Sequence, residues 1–204
     1  MDYRDYQHAR DAAWQFLIRF EIGELPVRIS DPIREMGITL APYSRSGAFL
    51  AELGLGSLMQ ETDGLSIQKG GKYYICYRGD MTPGRIRFTV AHELGHIVLG
   101  HLGEKTPHTT RNREPREDDA PMELAANVFA SRLLAPACVL HDLNAHTPER
   151  ISELCDISLA AARFRAERMD VLEKRGVFGA SPLERKVRKQ FRAFVRSRRP
   201  YPGR

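Results

Sequence analysis

The sequence has few cysteines, and the three it contains, Cys76, Cys138 and Cys155, are far apart in the chain. An odd number without paired spacing argues against a disulfide framework, and reduced core thiols are typical of cytoplasmic proteins. No window approaches about eighteen uninterrupted apolar residues, so we expect no membrane span. The segment Met1–Arg10 is polar and charged and lacks the apolar core of a secretory signal. These absences predict a cytoplasmic protein.

Charge is distributed unevenly along the 204 residues, whose formal net charge is +5. Between Leu183 and Arg204 there are nine basic residues and one acid, a net of +8, so residues 1–182 carry −3. Only this C-terminal segment favours a polyanionic or acidic partner. The candidates for nucleic-acid or partner contact are Arg185, Lys186, Arg188, Lys189 and Arg192.

Hydrophobic periodicity predicts helices, then a small antiparallel sheet, then further helices. The predicted helices are 6–21, 30–37, 82–102, 122–134, 136–143, 148–155, 158–175 and 183–195. A strand is predicted at 38–43 and a hairpin at 64–77, where Gly70-Gly71 supplies the turn. The polar stretch 103–121 is predicted to be a loop. This order indicates an α+β architecture.

The sequence His92-Glu93-Leu94-Gly95-His96 is an HExxH motif within a predicted helix. Residues four apart lie on one face of an α-helix, about 6 Å apart along its axis. His92 and His96 can therefore bind one metal ion, while Glu93 can take a proton from the attacking water. The alternative is an exposed helix with incidental histidines. Apolar neighbours argue against it, because buried His and Glu without partners are costly.

A hydrolytic zinc site also needs a third protein ligand and an open fourth position. His101 lies five residues after His96, about 140° around a straight helix, and is expected to point away from the metal. We therefore interpret it as a residue of the helix end that could still contact a metal ligand.

Glu123 is the stronger candidate for the third ligand, because it begins a helical segment rich in small residues. Asn127 follows one turn later, where it could hydrogen-bond a ligand or the substrate backbone. On spacing alone, Glu123 is equally well explained as a first-turn acid favoured by the helix dipole. Asp118 and Asp119 also compete for the ligand position.

Three blocks of the sequence resemble the ImmA/IrrE family of metallopeptidases. They are 87–101, reading RFTVAHELGHIVLGH; 123–136, reading ELAANVFASRLLAP; and 151–158, reading ISELCDIS, which Ala161, Ala162 and Arg163 follow. The resemblance implies a zincin-like core with Glu123 as the third metal ligand. With the helical pattern and the charge distribution, it divides the chain into a peptidase domain at residues 1–145, a helical, helix-turn-helix-like subdomain at 146–182, and a basic helix and tail at 183–204.

The resemblance further implies a zinc-dependent endopeptidase of the stand-alone type. Such enzymes cut a partner helix-turn-helix repressor, often encoded on a phage or mobile element, and thereby relieve repression. Manganese or iron could replace zinc on the same ligands. We expect residues 73–77 to form an edge strand that binds extended substrate.

The alternative function is a DNA-binding regulator that uses residues 148–169 and the basic tail. Those residues predict a helix, a short turn and a second helix, and the tail could add phosphate contacts. The second helix begins Leu159-Ala160-Ala161-Ala162, which leaves few side chains able to reach base edges. A helical subdomain packed beside the peptidase is therefore the preferred interpretation. A positive surface that docks the repressor is a third possibility.

Overall fold

The computed structural model describes residues 3–102, 108–111 and 120–198. The helices are α1 (Tyr3–Arg19), α2 (Ser30–Glu35), α3 (Tyr43–Glu52), α4 (Leu58–Glu61), α5 (Pro83–Val98), α6 (Ala120–Leu134), α7 (Ala137–Asp142), α8 (Pro148–Cys155), α9 (Leu159–Lys174), α10 (Pro182–Gln190) and α11 (Arg192–Arg198). The strands are β1 (Thr39–Pro42), β2 (Thr62–Lys69), β3 (Lys72–Tyr77) and β4 (His108–Arg111). The α+β prediction is confirmed.

The strands form one sheet in the order β1-β3-β2-β4. The predicted hairpin joins β2 to β3, and both turn glycines, Gly70 and Gly71, have positive φ, as a two-residue hairpin turn requires. The sheet is mixed rather than wholly antiparallel, because the chain crosses over between β1 and β3 and these strands pair in parallel. Since β3 pairs on both sides, the prediction that 73–77 is an edge strand is wrong.

Several elements were not predicted. Helix α3 contains serines and a glycine, residues with weak helix propensity, and is stabilised instead by tertiary packing. Its Leu50 is fully buried in a cluster with Leu65 and Ile67 of β2. Strand β4 lies inside the stretch predicted as a loop, where it pairs antiparallel to β2. Asp118 and Asp119, the competing ligand candidates, lie outside the described residues.

The chain divides into two compact units. One joins Met1–Ala9 to Ile29–Ala130 and holds the sheet, α2 to α5 and most of α6. The other joins Arg10–Arg28 to Ser131–Arg204 and holds α7 to α11. In this second unit the Gln190 side-chain amide donates to the carbonyls of Leu17 (2.7 Å) and Ile22 (2.6 Å). The three-part division expected from the sequence stays a prediction.

Among the described residues, one helical stretch, Ala120–Asp142, is long and apolar enough to cross a membrane by length and composition. It consists of α6 and α7, which Ala135 and Pro136 separate. Of its most apolar window, 72% is buried inside the protein, as is typical of a core helix.

Candidate metal centre

The centre is built by helices α5 and α6, which carry His92, His96 and Glu123. His92 Nε2 lies 2.9 Å from His96 Nε2 and 3.2 Å from Glu123 Oε2. His96 Nε2 lies 3.4 Å from Glu123 Oε1. Both histidines are buried, and Glu123 is partly exposed. These three side chains therefore present their donor atoms to one point, with one side left accessible.

The donor set fits a metal ion. A tetrahedral zinc site with bonds of about 2.0–2.1 Å places neighbouring ligand atoms roughly 3.3 Å apart, close to the three observed separations. Two buried imidazole nitrogens 2.9 Å apart would also repel each other if both presented lone pairs, so a proton or a metal cation is needed at this point. Two imidazoles and a carboxylate form a donor set that can hold zinc.

Asn127 lies one turn beyond Glu123 on α6, and its Oδ1 is 2.9 Å from His92 Nδ1. Because an amide oxygen can only accept, His92 Nδ1–H must be the donor. A neutral His92 with its proton on Nδ1 carries its lone pair on Nε2, the nitrogen that lies beside Glu123 and His96, and this is the tautomer that a metal requires.

His101 lies three residues beyond the end of α5, where the chain reverses direction. Gly100, with φ of +72°, donates to Ile97, and the His101 N–H donates to the His96 carbonyl at 2.9 Å, which together form a Schellman motif. The reversed chain brings His101 Nδ1 to 3.0 Å from His96 Nδ1. The contact is with Nδ1 of His96 and not with the Nε2 that lies beside Glu123, so His101 touches a candidate ligand rather than the metal position. The helix ends at Val98, so straight-helix geometry does not give the direction of His101.

The electrostatics of the centre favour a cation. Burial alone would lower the pKa of His92, but the hydrogen bond to Glu123 and the charges of Glu93 and Glu123 outweigh it, and the pKa is raised. The pocket thus stabilises positive charge at the imidazole even though it is buried.

Glu93 is fully buried beside β2. A Cβ placed at Gly64 of β2 would lie 3.1 Å from both Cγ and Oε1 of Glu93, and 2.6 Å from Cγ2 of Thr89. Any side chain at this point of the strand would have to displace Thr89 or Glu93, so glycine is strongly favoured here. The sequence offered the Asp63-Gly64 pair as a hairpin signal, but nothing in it indicated that Gly64 faces Glu93.

Neighbouring charges hold β2 against α5. Arg85 in the first turn of α5 donates through Nε to Asp63 Oδ2 at 2.8 Å and makes a second hydrogen bond to the same oxygen. Arg78 donates to the carbonyls of Gln60 (3.0 Å) and Thr62 (3.2 Å). The Arg85 contacts join the residue before Gly64 to the first turn of α5, and the Arg78 contacts join the end of β3 to the point where α4 meets β2.

We expect Gly64→Ala to lower the free energy of unfolding by about 1–3 kcal/mol, because the added methyl must displace Thr89 or Glu93. Gly47→Ala is the matched control: its Cβ would meet only Met59, at 3.8 and 3.9 Å, and an alanine within α3 should be neutral or stabilising. Equal urea midpoints for the two variants would contradict this account.

The predicted helix-turn-helix segment forms α8, a turn at Asp156 in the left-handed region, and α9 capped by Ser158. On α9, Arg165 is buried, whereas Arg163 and Phe164 are exposed beside Glu167 and Asp170. Acidic and aromatic side chains on that face favour packing or protein contact over base readout.

The basic candidates lie on α10, with Arg192 at the start of α11. Arg185, Lys186, Lys189 and Arg192 are exposed, and Arg188 is half-buried.

A family model for peptidases, described as the IrrE N-terminal-like domain, matches residues 52–171. No curated protein matches the chain at a significant level. The matched range contains the HExxH helix, the glutamate of α6 and the α8–α9 pair. With more than half of the chain matched and a His-His-Glu group that could hold a metal, this chain belongs to the ImmA/IrrE family of metallopeptidases.

Proposed function

We propose that the protein is a zinc-dependent endopeptidase that cleaves a partner helix-turn-helix repressor and thereby relieves repression. The observation that carries the proposal is the convergence of His92, His96 and Glu123 to within 4.8 Å in a chain of this family. His92, His96 and Glu123 would hold the ion, and Glu93 would be the catalytic acid-base. When bound, zinc would supply a Lewis acid that polarises the scissile carbonyl and acidifies water.

Glu93 is suited to moving a proton. Its carboxylate follows His92 directly on α5, close enough to raise the pKa of that imidazole. Held in a buried space beside Gly64, it has few alternative orientations. It would accept the proton of the attacking water and pass it to the amine of the departing peptide.

The ligand chemistry supports zinc as the default metal, although two imidazoles and a carboxylate also accept manganese or iron. Asn127 and His101 would orient the two imidazoles through their Nδ1 atoms. Cys76 and Cys138 are poor nucleophiles, because burial raises the pKa of Cys76, and raises that of Cys138 to about 12. All three cysteines are buried and none forms a disulfide, which supports a reducing, cytoplasmic location.

The family assignment implies a protein substrate; that this substrate is a helix-turn-helix repressor rests on the resemblance of the three sequence blocks. We retain residues 1–145 as the proposed peptidase domain, followed by the helical subdomain 146–182 and the basic segment 183–204. With β3 inside the sheet, β1 and β4 are the edge strands among the described ones, and they replace 73–77 as candidates for pairing with extended substrate.

The test is incubation of the full chain with the repressor encoded nearest its gene, in the presence of zinc or manganese. We expect one defined cut, located by mass spectrometry, which disappears in Glu93→Gln. If the repressor stays intact with every metal while an unrelated unfolded protein is cut, the repressor assignment fails but the peptidase assignment stands. If no protein is cut, both assignments fail.

We expect Asn127→Ala to weaken zinc affinity by about 10–100-fold, because His92 loses the acceptor that fixes its tautomer. Asn127→Asp retains an acceptor oxygen at the same position and should bind zinc at least as tightly as the wild type. Competition with a chromophoric chelator measures both. Equal affinities for the wild type and the alanine variant would show that Asn127 does not orient the ligand.

A further inference from the structure

A cleft of about 430 Å³ in the second unit is surrounded by positive charge. Its lining is the set Asp142, Arg185, Arg188, Lys189, Arg192, Val195 and Arg196. The five cations recur at helical spacing along α10 and α11. The Val195 N–H donates to the Phe191 carbonyl at 2.9 Å, so helical hydrogen bonding continues from α10 into α11. Eleven residues of α-helix span roughly 16 Å, so the cations form a stripe rather than a single point.

The one acid of the basic segment is buried at the start of α10, and its charge acts on Arg188 of the stripe. Glu184 is buried, and its pKa is raised by burial although the backbone N–H groups of Gly179, Ala180 and Ser181 donate to it. Ser181 accepts in turn from the Glu184 N–H at 3.1 Å, which completes a capping box for α10. Glu184 therefore belongs to the helix start and leaves the exposed face purely basic.

Two of the five cations of the stripe contact other parts of the fold, and three remain available. Arg188 makes a bidentate pair with Asp142 of α7, at 2.9 and 2.6 Å, which fixes α10 in place. Arg185 donates to the carbonyls of Gly179 and Ala180. Lys189, Arg192 and Arg196 are exposed, with no carboxylate partner among the described residues. These three side chains can neutralise an external polyanion.

We propose that this stripe binds the phosphate backbone of duplex DNA without reading its sequence. Arginine-rich surfaces with a fixed spacing suit phosphodiester oxygens. A protein-docking surface would instead need an apolar or aromatic anchor, and the exposed large hydrophobic residues of the described chain include none on α10 or α11. No aromatic ring is among the cleft-lining residues, which disfavours stacking on unpaired bases and hence single strands.

The test is fluorescence anisotropy of a labelled duplex of random sequence, titrated with the full chain at several salt concentrations. We expect the logarithm of the association constant to fall linearly with the logarithm of the salt concentration. Replacement of Lys189, Arg192 and Arg196 by glutamine should weaken binding at low salt by about tenfold or more. It should also reduce the magnitude of the slope of this salt dependence by about one for each lost phosphate contact.

The matched control replaces Arg45, Lys69 and Lys72, three exposed cations that do not line the cleft, by glutamine. It removes the same charge and should leave both the affinity and the slope nearly unchanged. The proposal is overturned if the wild type binds no duplex, if both triple variants bind alike, or if single-stranded RNA binds as tightly as the duplex. It is also overturned if only cleavage of an acidic protein partner is impaired, because the stripe would then dock protein.

Discussion

The Glu93→Gln variant is expected to bind zinc as tightly as the wild type while hydrolysing peptide about 10²–10⁴-fold more slowly. The amide fills the same space beside Gly64, so the helix and the two imidazoles stay in place. It cannot accept the proton of the attacking water, which removes general-base catalysis. Steady-state cleavage, together with the zinc content after dialysis, separates the chemical loss from metal loss.

Unfolding of this variant is not expected to explain its inactivity. Glu93 is fully buried, and a neutral amide costs less to bury than a carboxylate. The melting temperature should therefore be equal to that of the wild type or higher. Glu61→Gln, an exposed replacement on α4, serves as the control and should retain full activity. Wild-type turnover by the Glu93 variant would exclude this carboxylate as the proton acceptor.

Glu123→Ala should weaken zinc affinity by more than about a hundredfold, a larger loss than removal of a residue that only orients a ligand. The substitution deletes one of three converging donors, 3.2 Å from His92 Nε2 and 3.4 Å from His96 Nε2. Two imidazoles alone make an incomplete site, so peptide hydrolysis should disappear at ordinary zinc concentrations. Competition with a chelator gives the affinity directly.

A matched control for Glu123→Ala is the removal of a first-turn acid from another helix, α8. Glu149 is also a first-turn acid, so Glu149→Ala removes the same helix-dipole interaction from a helix that carries none of the proposed ligands. If Glu123 served only its helix dipole, both variants would lose about 0.3–1 kcal/mol of stability and bind zinc normally. Zinc binding lost in Glu123→Ala alone distinguishes a ligand from a capping residue.

The motif-bearing parts of the fold could be predicted because local rules determine them. Thr82 and Pro83 mark the start of α5, and paired glycines close the β2–β3 hairpin. The helix containing Glu123 follows from its apolar pattern. The proximity of Glu123 to the histidines depends on tertiary packing of α6 against α5. Gly95 permits this approach, since a Cβ there would lie 3.1 Å from Phe129 and 3.3 Å from the Ala126 backbone.

Features that depend on contacts distant in sequence could not be predicted. The parallel pairing of β1 with β3 and the addition of β4 require partners far along the chain. Gly64 lies opposite Glu93 because of the way β2 packs on α5, and no local sequence pattern encodes that packing. The contact of His101 with His96 could not be predicted from straight-helix geometry because the helix ends at Val98, although Gly100 itself was a readable signal for that end.

The central claim is that one metal ion is held by two histidines and one glutamate. X-ray absorption spectroscopy of the zinc-loaded full chain tests it most directly. We predict a shell of nitrogen and oxygen at about 2.0–2.2 Å with the multiple scattering of two imidazoles, and no sulfur at about 2.3 Å. A spectrum with the multiple scattering of three imidazoles would indicate that His101 is a ligand in place of Glu123. A thiolate sulfur, or a spectrum unchanged by Glu123→Ala, would contradict the site described here.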